Sequence, residues 1–169
     1  MKNLIKDKKG FTLIELLLYV GITSFILSAV VMFIMTMLQV QAKNQTVSEV
    51  DQQGSQVLQI ITQAIRNSNG INLPSIGAND TQLSLGMSDS SKNPTIFSIN
   101  TGVFIENEGA SIYPLTNSKV TIVNSKFTNL SRTGTPGVIK VEFTMAYVNP
   151  DGRDEYNYSK IFEASASLR

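Results

Sequence analysis

The sequence contains neither histidine nor cysteine, which removes the commonest general base, soft metal ligand and covalent nucleophile. No glycine-rich phosphate loop, serine elbow or paired-carboxylate spacing occurs either. Two groupings could still do chemistry. Asp151, Asp154 and Glu155 cluster around an Asn149-Pro150-Asp151-Gly152-Arg153-Asp154 turn, where oxygen ligands could hold a hard cation. The same residues also read as a solvated hairpin turn, and that is what is expected of them. The second grouping is a single carboxylate, Glu15, standing inside an apolar stretch five residues past Gly10. A charge there costs on the order of 2.5–3.5 kcal/mol in lipid, so it needs a partner or a purpose. The expectation is a chain without catalytic residues, cofactor or metal, not an enzyme.

The element that must position Glu15 is a helix. Residues 16–38 carry no charge at all. At 1.5 Å per residue they span about 35 Å, enough to cross a hydrocarbon core of roughly 30 Å. A cleaved secretory signal is excluded, because this run is far longer than the usual 7–15-residue apolar core. Residues 1–10 hold four lysines and one aspartate, so they keep the N-terminus cytoplasmic and send the rest outward. Net charge is +1 for the whole chain and falls to −2 without that leader, which leaves no nucleic-acid footprint.

Lys8-Lys9-Gly10-Phe11-Thr12-Leu13-Ile14-Glu15-Leu16 resembles the processing site of type IV pilin-like proteins, which include pilins and the pseudopilins of type II secretion. The resemblance implies that a prepilin peptidase cuts between Gly10 and Phe11 and methylates the new amine of Phe11. It also implies that Glu15, fifth residue of the mature chain, pairs with the Phe11 amine of a neighbouring subunit during assembly. Partners would then be the peptidase, other pilin or pseudopilin subunits and the cytoplasmic membrane, with a cell-surface or periplasmic filament as the end point. Many major pilins carry a proline about two-thirds along the apolar run, where Met32 stands in this sequence. The start Leu16-Leu17-Leu18-Tyr19-Val20 and the segment 51–68 are similar to minor (pseudo)pilins of the J and W types, which implies a low-copy subunit. The alternatives are a major pilin and a standalone anchored module that binds DNA or carbohydrate.

Beyond Leu38 polarity changes while the helical period persists. Val47, Val50, Val57, Ile61 and Ala64 or Ile65 mark one apolar face, opposite a face rich in Gln, Asn and Ser with Glu49 and Asp51. With no proline before Pro74, one helix is predicted over 12–69, stopped by Asn69-Gly70. Gly54 is its weak point and reads as a place of close packing in preference to a hinge. From residue 71 the pattern is β. Strands are predicted at 82–87, 95–100, 103–106 and 120–127, with Thr101-Gly102 as a tight turn. A hairpin follows at 138–148 and 155–167. Segments 71–81, 88–94 and 128–137 read as loops. Tyr113, Tyr147, Tyr156 and Tyr158 either form a sticky surface or alternate in and out of the sheet; the second is expected. The sequons at Asn129 and Asn157 are short enough to arise by chance. The domains are thus a leader (1–10), a transmembrane and assembly helix (11–38), its amphipathic continuation (39–70) and an exported head (71–169). The fold class is α+β, a long helix on a small antiparallel sheet.

Overall fold

A computed structural model describes residues 10–169. The expectations for the leader, its lysines included, lie outside the described residues except for Gly10. The chain divides into two compact units, Met1–Gln41 and Ala42–Arg169. Helix α1 (Leu13–Asn67, 55 residues) contributes to both.

In the second unit one stripe of α1 is buried: Thr46, Val50, Gly54, Val57, Ile61 and Ile65, at spacings of three and four. Thr46 joins this stripe, although it is polar, because its hydroxyl donates to the Ala42 carbonyl of the same helix (3.0 Å). Val47, expected on the apolar face, is only half-buried beside it. The helix stops two residues before the predicted position. Ser68 turns its backbone N–H and its hydroxyl back to the Ile65 carbonyl (3.3 and 2.8 Å), and the Asn69 N–H donates to Gly86 (2.8 Å), where strand pairing takes over.

The head has two antiparallel sheets where one was expected. The first has the order β1-β3-β4-β5-β6: β1 (Gly70–Leu73), β3 (Leu83–Gly86), β4 (Thr95–Asn100), β5 (Val103–Glu108) and β6 (Ser111–Pro114). The second is β2-β7-β8-β9: β2 (Asn79–Asp80), β7 (Val120–Asn129), β8 (Val138–Tyr147) and β9 (Ser159–Ser167). Segment 71–81, read as loop, supplies β1 and the two-residue β2; each is too short to show a period between its glycines and proline. The loop expected at 128–137 begins two residues later, because Asn79 pairs with Thr128 and extends β7. The 155–167 arm also starts late: Asp154–Tyr156 forms a 3-10 turn before β9 begins.

The predicted Thr101-Gly102 turn is present, with φ of 48° and 79° at its two residues and Asn100 paired to Val103. Two successive positive φ values define the mirror-image turn that matches strand twist. A Cβ at Gly102 would also collide with the Thr121 hydroxyl. The Gly102 carbonyl accepts from the Ile122 N–H (2.8 Å), so this turn joins the first sheet to the second.

Both sheets and the helix stripe enclose one core. Phe104 of the first sheet meets Phe127 and Phe143 of the second edge-on, with centroids 6.3 and 5.6 Å apart. Phe143 then stacks on Phe162 at 5.4 Å. The Phe162 ring lies against Gly54 of α1, occupying the place a Cβ would take. Close packing, not a hinge, explains that glycine.

Candidate processing and assembly segment

Gly10 and Phe11 precede the helix and are exposed, and among the described residues nothing approaches the space a Cβ at Gly10 would fill. No packing among the described residues therefore calls for glycine there. Thr12 caps the helix. Its hydroxyl accepts from the Glu15 N–H (3.3 Å) and its carbonyl from the Leu16 N–H (3.1 Å). Thr12 and Glu15 thus have the Thr-x-x-Glu spacing of a capping box, with Glu15 at the third helical position. A carboxylate in the first turn is favoured by the helix dipole, typically by 0.3–1 kcal/mol. Thr12 was legible in the sequence by that spacing, and reading the motif only for its glutamate overlooked it. Among the described residues the Glu15 side chain has no ion-pair partner. The Phe11 ring lies edge-on to Tyr19, with centroids 5.9 Å apart.

From Phe11 to Val40 the large apolar side chains are exposed around the full circumference. This is the helix long and apolar enough to cross a membrane. A helix that is apolar all round is stable only when something covers it. Two of its hydroxyls are satisfied within the helix: Ser28 donates to the Ser24 carbonyl (2.9 Å) and Thr36 to that of Met32 (3.0 Å).

In the second unit, polar clamps tie α1 to the sheets. Lys43 donates to the carbonyls of Asn157 (2.7 Å) and Asp154 (3.4 Å), with Tyr158 under its ammonium. Glu49 accepts from Asn117 and Gln53 (both 2.8 Å) and pairs with Lys119 (3.4 Å). The Asn117 bond, then those of Gln53 and Lys119, hold the Glu49 carboxyl below its ordinary range. A depressed carboxyl stabilises the fold above its unfolded-state pKa, and that contribution is lost as pH falls through the folded value. Acidification below the ordinary glutamate range should therefore lower the thermal midpoint of the detergent-solubilised chain. Glu49→Gln should flatten that part of the pH profile while costing no more than roughly 4 °C at pH 5, where an exposed clamp is worth about 1 kcal/mol or less. An unchanged profile would remove Glu49 from the account.

The structure does not bring Asp151, Asp154 and Glu155 together around a cation site. Asn149 closes the turn through its side chain, donating to the Arg153 carbonyl (2.8 Å) and accepting from the Arg153 N–H (3.0 Å). Glu155 is engaged by the Arg153 guanidinium. Two carbonyls of the turn already face the Lys43 ammonium. Among the described residues no group of three His, Cys, Asp or Glu side chains is placed to hold a metal. The tyrosines do not make one surface: Tyr147 and Tyr156 stack at 5.7 Å, Tyr158 underlies Lys43, and Tyr113 stands half-exposed on β6.

Residues 5–38 match the prokaryotic N-terminal methylation motif. The match runs from the leader to the end of the apolar run and supports a type IV pilin-like prepilin, whose membrane anchoring the apolar helix fits. Searches of curated proteins and of solved structures found no match to the chain.

Proposed function

We propose that the protein is a non-enzymatic structural subunit of a type IV pilin-like filament, in a pilus or a type II secretion-like machine. The observation that carries this reading is the long apolar helix segment of the first unit, exposed on all sides and charged only at Glu15 in its first turn. Before assembly lipid covers it; in the fibre, helices of neighbouring subunits do. Prepilin peptidase cuts between Gly10 and Phe11 and methylates the Phe11 amine, and Glu15 of one subunit pairs with that amine on the next. The head is exported and remains outside. A low copy number is supported by the similarity of the helix to J- and W-type minor subunits, a similarity that does not extend to the head strands.

Mass spectrometry of fibres sheared from native cells tests this. A methylated peptide starting at Phe11, scarce beside another pilin-like peptide, is the expected result. The same peptide as the dominant species would make this a major subunit. Retention of the leader in the membrane fraction would leave an anchored binding module in place of a filament subunit. Since no neighbour among the described residues explains Gly10, its replacement by valine should leave the head folded but give a heavier band with the leader attached. Normal cleavage of that variant would move the processing site elsewhere.

A further inference from the structure

A groove of about 450 Å³ opens where β7 and β9 end and β8 begins. Ile71, Ile76, Pro136 and Leu168 give it apolar walls, Arg132 and Arg169 line it as well, and no acidic side chain does. Neither arginine is in a salt bridge among the described residues. The loop that carries Arg132 is preorganised. Ser131 accepts from the Val138 N–H (2.9 Å), Thr135 donates to the Arg132 carbonyl (2.9 Å), and Leu130 donates to Val138 (2.8 Å).

The opposite end of the same β8–β9 hairpin has the complementary character. There Pro150, Asp151 and Gly152 are exposed, and Asp151 and Asp154 have no ion-pair partner among the described residues. A ten-residue strand places this tip and the groove roughly 30 Å apart. One end carries Arg132 and Arg169 between apolar walls; the other carries Asp151, Asp154 and a proline, its own cations being engaged, Arg153 by Glu155 and Lys43 by two carbonyls.

We propose that the groove receives the 149–154 turn of a second copy of this chain, with Pro150 on the apolar wall and Asp151 facing Arg132. The inference rests on the filament reading and supplies a contact between heads. Two different patches meet, so the contact is heterologous and gives adjoining copies one direction instead of closing them into a two-fold dimer. The six-residue 149–154 turn is far smaller than the roughly 20–30 residues a side of a self-sufficient interface. It therefore sets direction and register for copies already held together by their helices, whose packing supplies the effective concentration. A low-copy subunit uses it wherever two copies adjoin.

The chain has no cysteine, so a disulfide test carries no background. Full-length Thr133→Cys and Arg153→Cys chains are co-expressed in native cells, and sheared fibres are oxidised. A mixed dimer that needs both variants is expected. Arg132→Glu should reduce it about tenfold, and adding Asp151→Lys should restore it. Fibre-bound subunits cut at Phe11 that give no mixed dimer would overturn the contact while leaving the filament reading intact. Linkage of Thr133→Cys to a different protein, or a mixed dimer indifferent to Arg132→Glu, would also overturn it. Uncut chains outside any fibre would overturn both readings, and the retained leader would identify that case.

Discussion

Glu15→Leu should insert in the membrane and be cut between Gly10 and Phe11 like the parent chain, yet reach fibres at least about tenfold less often. Leucine removes the cost of a carboxylate in lipid, so insertion improves if it changes at all. Under the proposed function, what is lost is the partner for a neighbour's Phe11 amine. At about 4 Å and an effective dielectric near 20 that pair gains roughly 4 kcal/mol of gross Coulomb energy. Desolvation takes back part of it, and a net 1.4 kcal/mol already gives a factor of ten. Glu15 also has a second position of influence, at the third residue of the helix that Thr12 caps. The two roles separate by substitution. Glu15→Gln keeps a side chain suited to a capping box but no charge, and should assemble as poorly as Glu15→Leu. Thr12→Ala removes the hydroxyl that accepts from the Glu15 N–H, costs about 1 kcal/mol of helix start, and should assemble nearly normally. Peptide counting in sheared fibres reads all three. Normal incorporation of Glu15→Leu would sink the pairing, and a defect confined to Thr12→Ala would assign the motif to the helix start instead.

How much of this was legible in the sequence depends on how local the determining physics is. The helix was readable because its apolar run and its amphipathic stripe are periodic over many turns, and α1 departs from the predicted 12–69 by only one residue at its start and two at its end. The Thr101-Gly102 turn and the 138–167 hairpin were readable because turn chemistry and alternation are short-range. The division into two sheets was not. It depends on Phe104 reaching Phe127 and Phe143 across the core, and on Gly102 meeting Ile122, contacts that no local pattern encodes. Strands β1 and β2 exist because β3 and β7 offer them edges, not because of their own composition. The same holds for the site. Gly10, Phe11 and Glu15 were legible as a motif, but the groove that contains Arg132 required three distant segments to converge. The role of Lys43 was not legible either, because its acceptors, the carbonyls of Asp154 and Asn157, lie more than a hundred residues away.

Gly54 shows most directly how the head selects the residue the helix would reject. By helix propensity alone, Gly54→Ala should stabilise α1 by about 1 kcal/mol. The expected result is the opposite, a loss of about 1–2 kcal/mol and a fall of roughly 3–8 °C in the thermal midpoint of the detergent-solubilised chain. An alanine Cβ would land on the Phe162 ring. That ring has little freedom to withdraw, since it stacks on Phe143 at 5.4 Å and carries the Lys160 ammonium 5.3 Å from its centroid. Lys160 is itself held by Asp51 of α1 (3.0 Å), so a shift of β9 away from the helix also strains that pair. Gly54→Leu adds more volume at the same point and should leave no cooperative transition in the head. Phe162→Leu alone should destabilise too, because it trims a buried aromatic, but the double variant Gly54→Ala with Phe162→Leu should be more stable than the sum of the two single losses. That positive coupling is the signature of direct contact. Additive losses, or a rise in midpoint for Gly54→Ala alone, would mean that the ring yields and that the glycine is kept for a reason outside this packing.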